Sequence, residues 1–247
     1  MYNVFAEFYD RLTDDVDYKS AARFVDNAAK EYNLTGGILL DLACGTGSLA
    51  LEMAGLGYDV IGVDASENML SQAVKKNTSG SPGVLYLCQR AEELDLYGTV
   101  DITVCMLDSL NHLSNDAKLV KVFSRVALFS NPGALFIFDV NTLRKHRELL
   151  GDNAFVFDKD DVYCVWQNSF NEDDCSVEIA LDFFVRSGKQ YTRATECFTE
   201  VYFSDEQIMV ALEKAGFELL NRYGDYNSVP VDDTSERIVY VAKKRVP

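Results

Sequence analysis

Two glycines at positions 45 and 47 follow an apolar stretch and precede a run of helix-forming residues. Residues 41–47 therefore have the order of a strand, a glycine turn and a helix start. Because glycine lacks a Cβ, Gly45 and Gly47 let the backbone approach a ligand closely, and the helix start offers unpaired N–H groups. The turn lacks the third glycine of the dinucleotide fingerprint and the lysine of a P-loop, which weakens the case for pyrophosphate and triphosphate ligands. A nucleoside without phosphates is favoured.

A carboxylate follows the next predicted strand, because residues 58–63 lead directly into Asp64. In a βαβ unit, the acidic residue about 20 positions after the glycine turn accepts hydrogen bonds from ribose hydroxyls, and Asp64 lies at that distance. The alternative is that Asp64 only caps the helix that begins near Ser66. Its pairing with the glycine turn favours ligand binding, and both roles can coexist.

The order of these motifs resembles that of class I S-adenosylmethionine-dependent methyltransferases. The segments that carry the resemblance are residues 39–47, 60–70, 89–94, 101–108 and 131–139, with a lead-in at residues 2–12. Most of the chain is covered, except roughly residues 151–200. The resemblance implies a methyltransferase enzyme that uses S-adenosylmethionine, with an α/β fold built on a doubly wound, mostly parallel seven-stranded sheet.

The resemblance also implies which residues contact the cofactor. Asp41 is expected to hydrogen-bond the methionine ammonium, and its alternative role is to tie down the glycine turn. Arg90 stands where many family members carry an acid for the adenine amino group, and a guanidinium cannot accept a hydrogen bond. Adenine recognition would then rest on the backbone around Ala91. The expected cofactor residues are Tyr9, Asp41, Ala43, Gly45, Gly47, Asp64, Ala65, Met69, Arg90, Ala91 and Leu107.

The stretch after the fourth strand is expected to lie beside the transferred methyl group. His112 has a near-neutral reference pKa that suits a general base, although a single histidine at a helix entry is more often structural. Asp108 is the second catalytic candidate, as an anchor for a substrate amine. The substrate candidates are Tyr18, Asn111 and Trp166, of which Trp166 has sheet packing as its alternative role.

Alternating strands and helices must position these residues. Strands are predicted near residues 38–42, 59–63, 84–88, 101–106 and 134–139, with helices near 48–56, 66–77 and 115–129. An earlier helix is predicted to begin at Asp17 and to end at Gly36 and Gly37. This alternation is typical of parallel strands joined by right-handed crossovers, and ligands bind outside the carboxyl ends of such strands. The candidate motifs all fall there, so they should share one cleft.

The pattern changes between about residues 155 and 203. Three segments rich in β-branched and aromatic residues, separated by turn signals, predict a small antiparallel β insertion after the fifth strand. Ser204 and Gln207 then indicate a capped helix that ends at Gly216, before two closing antiparallel strands. We expect residues 1–150 and 204–247 to form the cofactor-binding core, and residues 151–203 to form a substrate lid or a dimer surface.

The composition limits the partners. A formal net charge of −16, from 39 acidic and 23 basic side chains, opposes binding to nucleic acid. No apolar run approaches the roughly 18 residues that span a bilayer, and residues 1–7 lack the basic region followed by an apolar one that is typical of an export signal. The six cysteines are therefore expected as free thiols, and their spacing does not suit structural zinc. These features favour a cytoplasmic enzyme with a small-molecule acceptor and no metal, and leave a homodimer open.

Two other functions stay open at this point. A non-catalytic protein could retain the cofactor pocket and use the insertion as a partner surface. An NAD-dependent oxidoreductase shares the fold, but its fingerprint expects glycine where Ala50 stands. The residues identify neither the acceptor nor whether nitrogen, oxygen or carbon is methylated, since a fold carries many substrates.

Overall fold

The computed structural model describes residues 4–77 and 83–246. Tyr2, which belongs to the lead-in motif, lies outside the described residues. The strands, in chain order, are β1 Ile38–Leu42, β2 Asp59–Asp64, β3 Val84–Cys88, β4 Val100–Cys105, β5 Ser130–Asn141, β6 Ala154–Lys159, β7 Val162–Asn171, β8 Ser176–Ser187, β9 Gln190–Val201, β10 Phe217–Gly224 and β11 Arg237–Lys244. The helices are α1 Phe5–Leu12, α2 Tyr18–Glu31, α3 Ser48–Gly55, α4 Glu67–Lys76, α5 Asp116–Leu128 and α6 Asp205–Ala215.

Seven strands form the main sheet in the order β10-β11-β5-β4-β1-β2-β3. Strands β1 to β5 pair in parallel, whereas β11 pairs antiparallel with both β5 and β10. One buried cluster packs α5 and α6 on one face of this sheet, and another packs α2 and α3 on the opposite face. The predicted doubly wound α/β fold is confirmed. Among the residues in the two described ranges, no helix is long and apolar enough to cross a membrane.

Local capping signals set the helix starts. The Asp17 side chain accepts a hydrogen bond from the Ser20 N–H at the start of α2, and Ser204 and Gln207 form a capping box on α6. The predicted end of α2 at Gly36 and Gly37 is wrong, because the helix ends at Glu31 and the chain turns at Asn33 with φ +62°. Gly37 instead allows close packing, since a Cβ there would collide with Asp101.

The insertion forms a separate four-stranded antiparallel sheet in the order β6-β7-β8-β9. The hairpins fall where turn signals were predicted, but the edge strand β6 was not predicted. One face of this sheet packs against α1, where Phe5 lies 6.1 Å from Phe183 and 6.4 Å from Phe198 between ring centroids. Helix α1 therefore lies between the insertion and the main sheet's helices.

Candidate functional site

The turn between β1 and α3 has an unusual backbone. Ala43, Gly45 and Gly47 all adopt left-handed conformations, with φ of +60°, +54° and +73°. A Cβ on Gly47 would collide with the Tyr86 hydroxyl, so the chain requires glycine there for space as well as for conformation. At Gly45, by contrast, no described atom lies within 4 Å of the position that a Cβ would take. One side of the turn is therefore closed by Tyr86, and the other side is accessible to a ligand.

Asp64 joins the ends of β1 and β2. Its Oδ2 accepts a hydrogen bond from the Gly45 N–H at 2.9 Å, and its Oδ1 accepts one from the Ser66 N–H at 2.7 Å. The cap of α4 is Ser66, whose Oγ accepts from the Met69 N–H. Burial raises the pKa of Asp64, against the lowering effect of these backbone hydrogen bonds. Asp64 thus holds the glycine turn, and its carboxylate has further lone pairs for a ligand.

Asp41 lies at the base of the same turn and is only 3% exposed. Its Oδ2 is buried and has no hydrogen-bond partner among the described residues. Burial and the nearby charge of Asp64 raise the pKa of Asp41 to about 8. A buried, unpartnered carboxyl oxygen costs free energy unless a ligand satisfies it. A cationic group such as a ligand ammonium fits this position.

The end of β4 has a second strained turn. Leu107 and Asp108, neither of them glycine, adopt φ of +59° and +56°. Their backbone N–H groups both donate to the carboxylate of Asp139, at 3.1 Å and 2.8 Å. Asp139 is fully buried at the end of β5 and is neutralised by Arg237, with the Tyr226 hydroxyl as a further donor. This buried network fixes the turn that faces the cleft.

The carboxylate of Asp108 is negatively charged in this setting. Burial would raise the pKa of Asp108, but the positive charges of Lys145 and Arg237 hold it below its ordinary value. Oδ1 accepts a hydrogen bond from Arg237 Nη2 at 3.2 Å, and the side chain stays 24% exposed. Asp108 therefore presents an ionised group to the cleft at neutral pH.

A short helical turn, Ser109–His112, follows Asp108. The His112 ring lies 5.1 Å from the Phe198 ring of β9, and the imidazole, when it is protonated, lowers the pKa of both Asp64 and Asp108. Asn111 is fully buried instead: its Oδ1 accepts from the Asn141 N–H and its Nδ2 donates to the Val201 carbonyl. The structure thus brings His112 together with the two carboxylates, and Asn111 joins the main sheet to the insertion.

A cavity of about 260 Å³ lies beyond the end of β3, lined by Ala65, Cys88, Gln89, Arg90 and Glu93. The Arg90 guanidinium donates to Glu92 Oε1 at 3.1 Å and is mostly exposed. Ala91 starts a single 3-10 turn beside it. The predicted adenine-side residues Ala65, Arg90 and Ala91 therefore lie together, next to Asp64.

The predicted aromatic candidates lie around α1. Tyr9 is on α1 itself, 5.1 Å from the Phe5 ring, and Tyr18 is the first residue of α2. Burial raises the pKa of Tyr18. Trp166, in β7 of the insertion, donates from Nε1 to Asn168 Oδ1 at 2.6 Å, and its ring packs against Phe5 of α1. This ring contact is the kind of packing that was the alternative to a substrate role for Trp166.

Sequence reasoning missed Asp139, Tyr226 and Arg237. Asp139 had a visible signal, because it ends a predicted strand as Asp64 does. Tyr226 lies before the antiparallel strand β11 and Arg237 is its first residue. Both are about 90 residues after Asp139, and no local pattern connects them with this site. Among residues 4–77 and 83–246, no group of three or more His, Cys, Asp and Glu side chains is placed to hold a metal ion.

Comparison with known proteins agrees with this geometry. A family model for a methyltransferase domain matches residues 39–133. The protein named "Putative methyltransferase YqeM" of Bacillus subtilis (strain 168) is 32% identical over 99% of this chain and 97% of its own length. The crystal structure of an S-adenosylmethionine-dependent methyltransferase from Clostridium acetobutylicum ATCC 824 is 34% identical, covers 99% of both chains and superposes with a TM-score of 0.89.

A more distant relative is the glycine/sarcosine N-methyltransferase of Halorhodospira halochloris, 23% identical over 96% of this chain and 87% of its own length. The chain belongs to the S-adenosylmethionine-dependent methyltransferases. It is a methyltransferase enzyme with the class I fold, and the predicted family is confirmed.

Proposed function

We propose that this methyltransferase acts on a small-molecule acceptor, which binds between the end of β4 and the inserted sheet. The observation that carries the proposal is the contact between His112, after β4, and Phe198 of β9, and the buried, unpartnered Oδ2 of Asp41 supports binding of the methionine ammonium at the neighbouring turn. His112 follows Asp108 after β4, and its ring lies 5.1 Å from the Phe198 ring of β9, so the end of β4 and the inserted sheet lie side by side. A polyanionic acceptor such as nucleic acid is disfavoured by the net charge of −16.

Several residues fit the parts of S-adenosylmethionine. Asp41 would hold the ammonium, the accessible side of the turn at Gly45 would follow the methionine chain, and Asp64 would accept from the ribose hydroxyls. The cavity beside Ala65 and Arg90 would hold adenine. When bound, the cofactor supplies a methyl group activated by the positive charge on sulfur. The chain's own task is then to align an acceptor with that group and to exclude water.

Asp108 and His112 are the groups available to the acceptor. The ionised Asp108 would bind and orient a donor such as an amine or a hydroxyl, and His112 would take up a proton from it. The side chain of Asn111 forms hydrogen bonds with backbone groups of β9 and β5. Its contribution to the acceptor site would therefore be to hold β9 against β5. Residues 151–203 would form the lid of this site, since their sheet packs its inner face on α1 and places Phe198 on His112.

The test has two parts. Isothermal titration with S-adenosylhomocysteine should give a dissociation constant in the micromolar range or tighter, and NAD should give no heat. Incubation with methyl-labelled S-adenosylmethionine and a pooled metabolite extract should then place label in a small product. Binding without any labelled product would favour a non-catalytic role, and the absence of binding would overturn the proposal altogether.

A matched pair of variants connects this test to the site. Asp41→Asn should weaken binding of S-adenosylhomocysteine because the amide cannot pair with an ammonium. Asp59→Asn, at the exposed start of the neighbouring strand, should not change it. Equal affinities for the two variants would remove Asp41 from the ligand site.

A further inference from the structure

Four side chains connect α1 and α4 to the glycine turn. Thr46 Oγ1 donates to Asp10 Oδ1 of α1 at 2.5 Å, and Lys76 Nζ of α4 lies 2.7 Å from Asp10 Oδ2. The same ammonium donates to Thr46 Oγ1 at 3.0 Å and to Ser48 Oγ at 2.8 Å. The hydrogen bonds are mutually consistent, because each hydroxyl accepts from Lys76 and the Thr46 hydroxyl donates its own O–H to Asp10. We call Asp10, Thr46, Ser48 and Lys76 the latch residues.

The latch spans parts of the chain that local structure does not bring together. Asp10 and Lys76 are 66 residues apart, and both contact the turn that leads into α3. Thr46 is only 2% exposed, whereas the Lys76 and Asp10 side chains are 29% and 41% exposed. The carboxylate of Asp10 also lies at the start of α3, where the helix dipole favours negative charge. The interaction therefore has an ordered, buried hydroxyl at its centre and a charge pair that salt can screen.

The other end of α1 is fixed to the insertion. Glu196 Oε1 of β9 accepts hydrogen bonds from the N–H groups of Val4 at 2.6 Å and Phe5 at 3.0 Å. The apolar side of α1, including Phe5 and Phe8, packs on the inner face of the insertion and against Met69 of α4. Helix α1 is thus joined to the inserted sheet at its start and to the glycine turn near its end.

We propose that Lys76 and Asp10 are positioning residues that latch α1 over the glycine turn and thereby retain the bound cofactor. This role rests on the proposed function, because it assumes the cofactor site at the glycine turn. It adds α1 as the helix that closes over that site. The start of α1 is also bound to Glu196 of the insertion. Release of the latch residues therefore lets α1 and the insertion move away from the glycine turn together. Cofactor retention and closure of the acceptor lid are then parts of one event.

The experiment measures release of bound, labelled S-adenosylmethionine after addition of excess unlabelled S-adenosylhomocysteine. Lys76→Met and Asp10→Asn should each speed release about fivefold, as expected for losing partly exposed charge-assisted hydrogen bonds. The effect of the double variant should be smaller than the sum of the two single effects, because both single changes remove the Lys76–Asp10 contact. Lys76→Arg should restore slow release, and Lys75→Met, whose side chain bonds only to Gln72 among the described residues, is the matched control.

Salt gives a second readout, in the unaltered protein and in the double variant. Release from the unaltered protein should accelerate between low and high ionic strength, and release from the double variant should not. The inference is overturned if Lys76→Met releases cofactor as slowly as Lys75→Met, or if the effects of the two single variants add in the double one. If the unaltered protein binds no labelled cofactor, the proposed function fails instead. Should Lys76→Met not fold, Asp10→Asn still breaks the same contact, and its release rate and salt dependence, compared with those of the unaltered protein, decide the matter.

Discussion

Arg237 and Asp139 form a buried ion pair beside the cleft, with 2.7 Å between Nη1 and Oδ2. The second arm of the guanidinium reaches Asp108 at 3.2 Å, so one arginine from β11 holds the carboxylates that follow β4 and end β5. Asp139 in turn accepts both backbone N–H groups of the strained turn at Leu107 and Asp108. The conformation of that turn therefore depends on a residue from the last strand of the chain.

Removal of Arg237 is expected to be costly. In Arg237→Met, the buried charge of Asp139 loses its partner, and the free energy of unfolding should fall by about 3 to 5 kcal/mol. Arg222→Met is the matched control, because Arg222 pairs with Asp205 at the surface, where both side chains are over 40% exposed. That control should cost less than about 1 kcal/mol. Urea denaturation measures both, and similar losses would contradict the role of the buried pair.

The pKa of Asp41 predicts a proton released on ligand binding. At pH 7 the carboxyl group, with its pKa raised to about 8, is mostly protonated. A ligand ammonium beside it favours the charged form, so binding of S-adenosylhomocysteine should release up to about one proton. Titration calorimetry in phosphate and in Tris gives this number from the difference in apparent enthalpy. Asp41→Asn should release none, and an unchanged release in that variant would locate the titrating group elsewhere.

The same group makes the stability of the unliganded protein depend on pH. The folded protein holds a proton on Asp41 that the unfolded chain loses above pH of about 4. Its contribution to stability is therefore complete below that pH and is lost as the pH rises towards about 8. In thermal denaturation without ligand, the melting temperature of Asp41→Asn minus that of the unaltered protein should increase as the pH rises from 5 to 8. A constant difference over this range would show that the carboxyl group keeps its ordinary pKa.

Asp64 is expected to support the ligand both directly and through the glycine turn. Asp64→Ala removes the acceptor for the Gly45 N–H and the ribose contact, and should weaken S-adenosylhomocysteine binding by roughly 1 to 3 kcal/mol. Asp59→Ala, at the opposite and exposed end of β2, should leave the affinity unchanged. Isothermal titration compares the two. Unchanged affinity in Asp64→Ala would move the ribose contact to another residue.

Asp108 and His112 are expected to affect methyl transfer more than cofactor binding. Asp108→Asn keeps the hydrogen bond with Arg237 possible but removes the charge, and His112→Gln removes the proposed proton acceptor. Label transfer to the metabolite extract should fall at least about tenfold in each, while affinity for S-adenosylhomocysteine stays within about twofold. A loss of affinity as large as the loss of transfer would place these residues in the cofactor site.

The sequence by itself determined the class of fold and the order of the cofactor motifs. The strands near residues 38–42, 59–63 and 84–88, the cap at Asp17 and the capping box at Ser204 are all local patterns, and each occurs as predicted. The glycine turn and Asp64 also belong to one βαβ unit, in which spacing along the chain sets spacing in the fold. Such features are readable because hydrophobic periodicity and capping act over a few residues.

Only the tertiary structure decided which polar side chains meet. Arg237 reaches Asp139 and Asp108 because β11 runs antiparallel beside β5, and Asp10 reaches Lys76 because α1 folds back across α4. Asn111 is bound to backbone groups, and Oδ2 of the buried Asp41 has no hydrogen-bond partner among the described residues. Strand pairing and burial depend on the whole chain packing at once, so the charge states and contacts that they create leave no local pattern in the sequence.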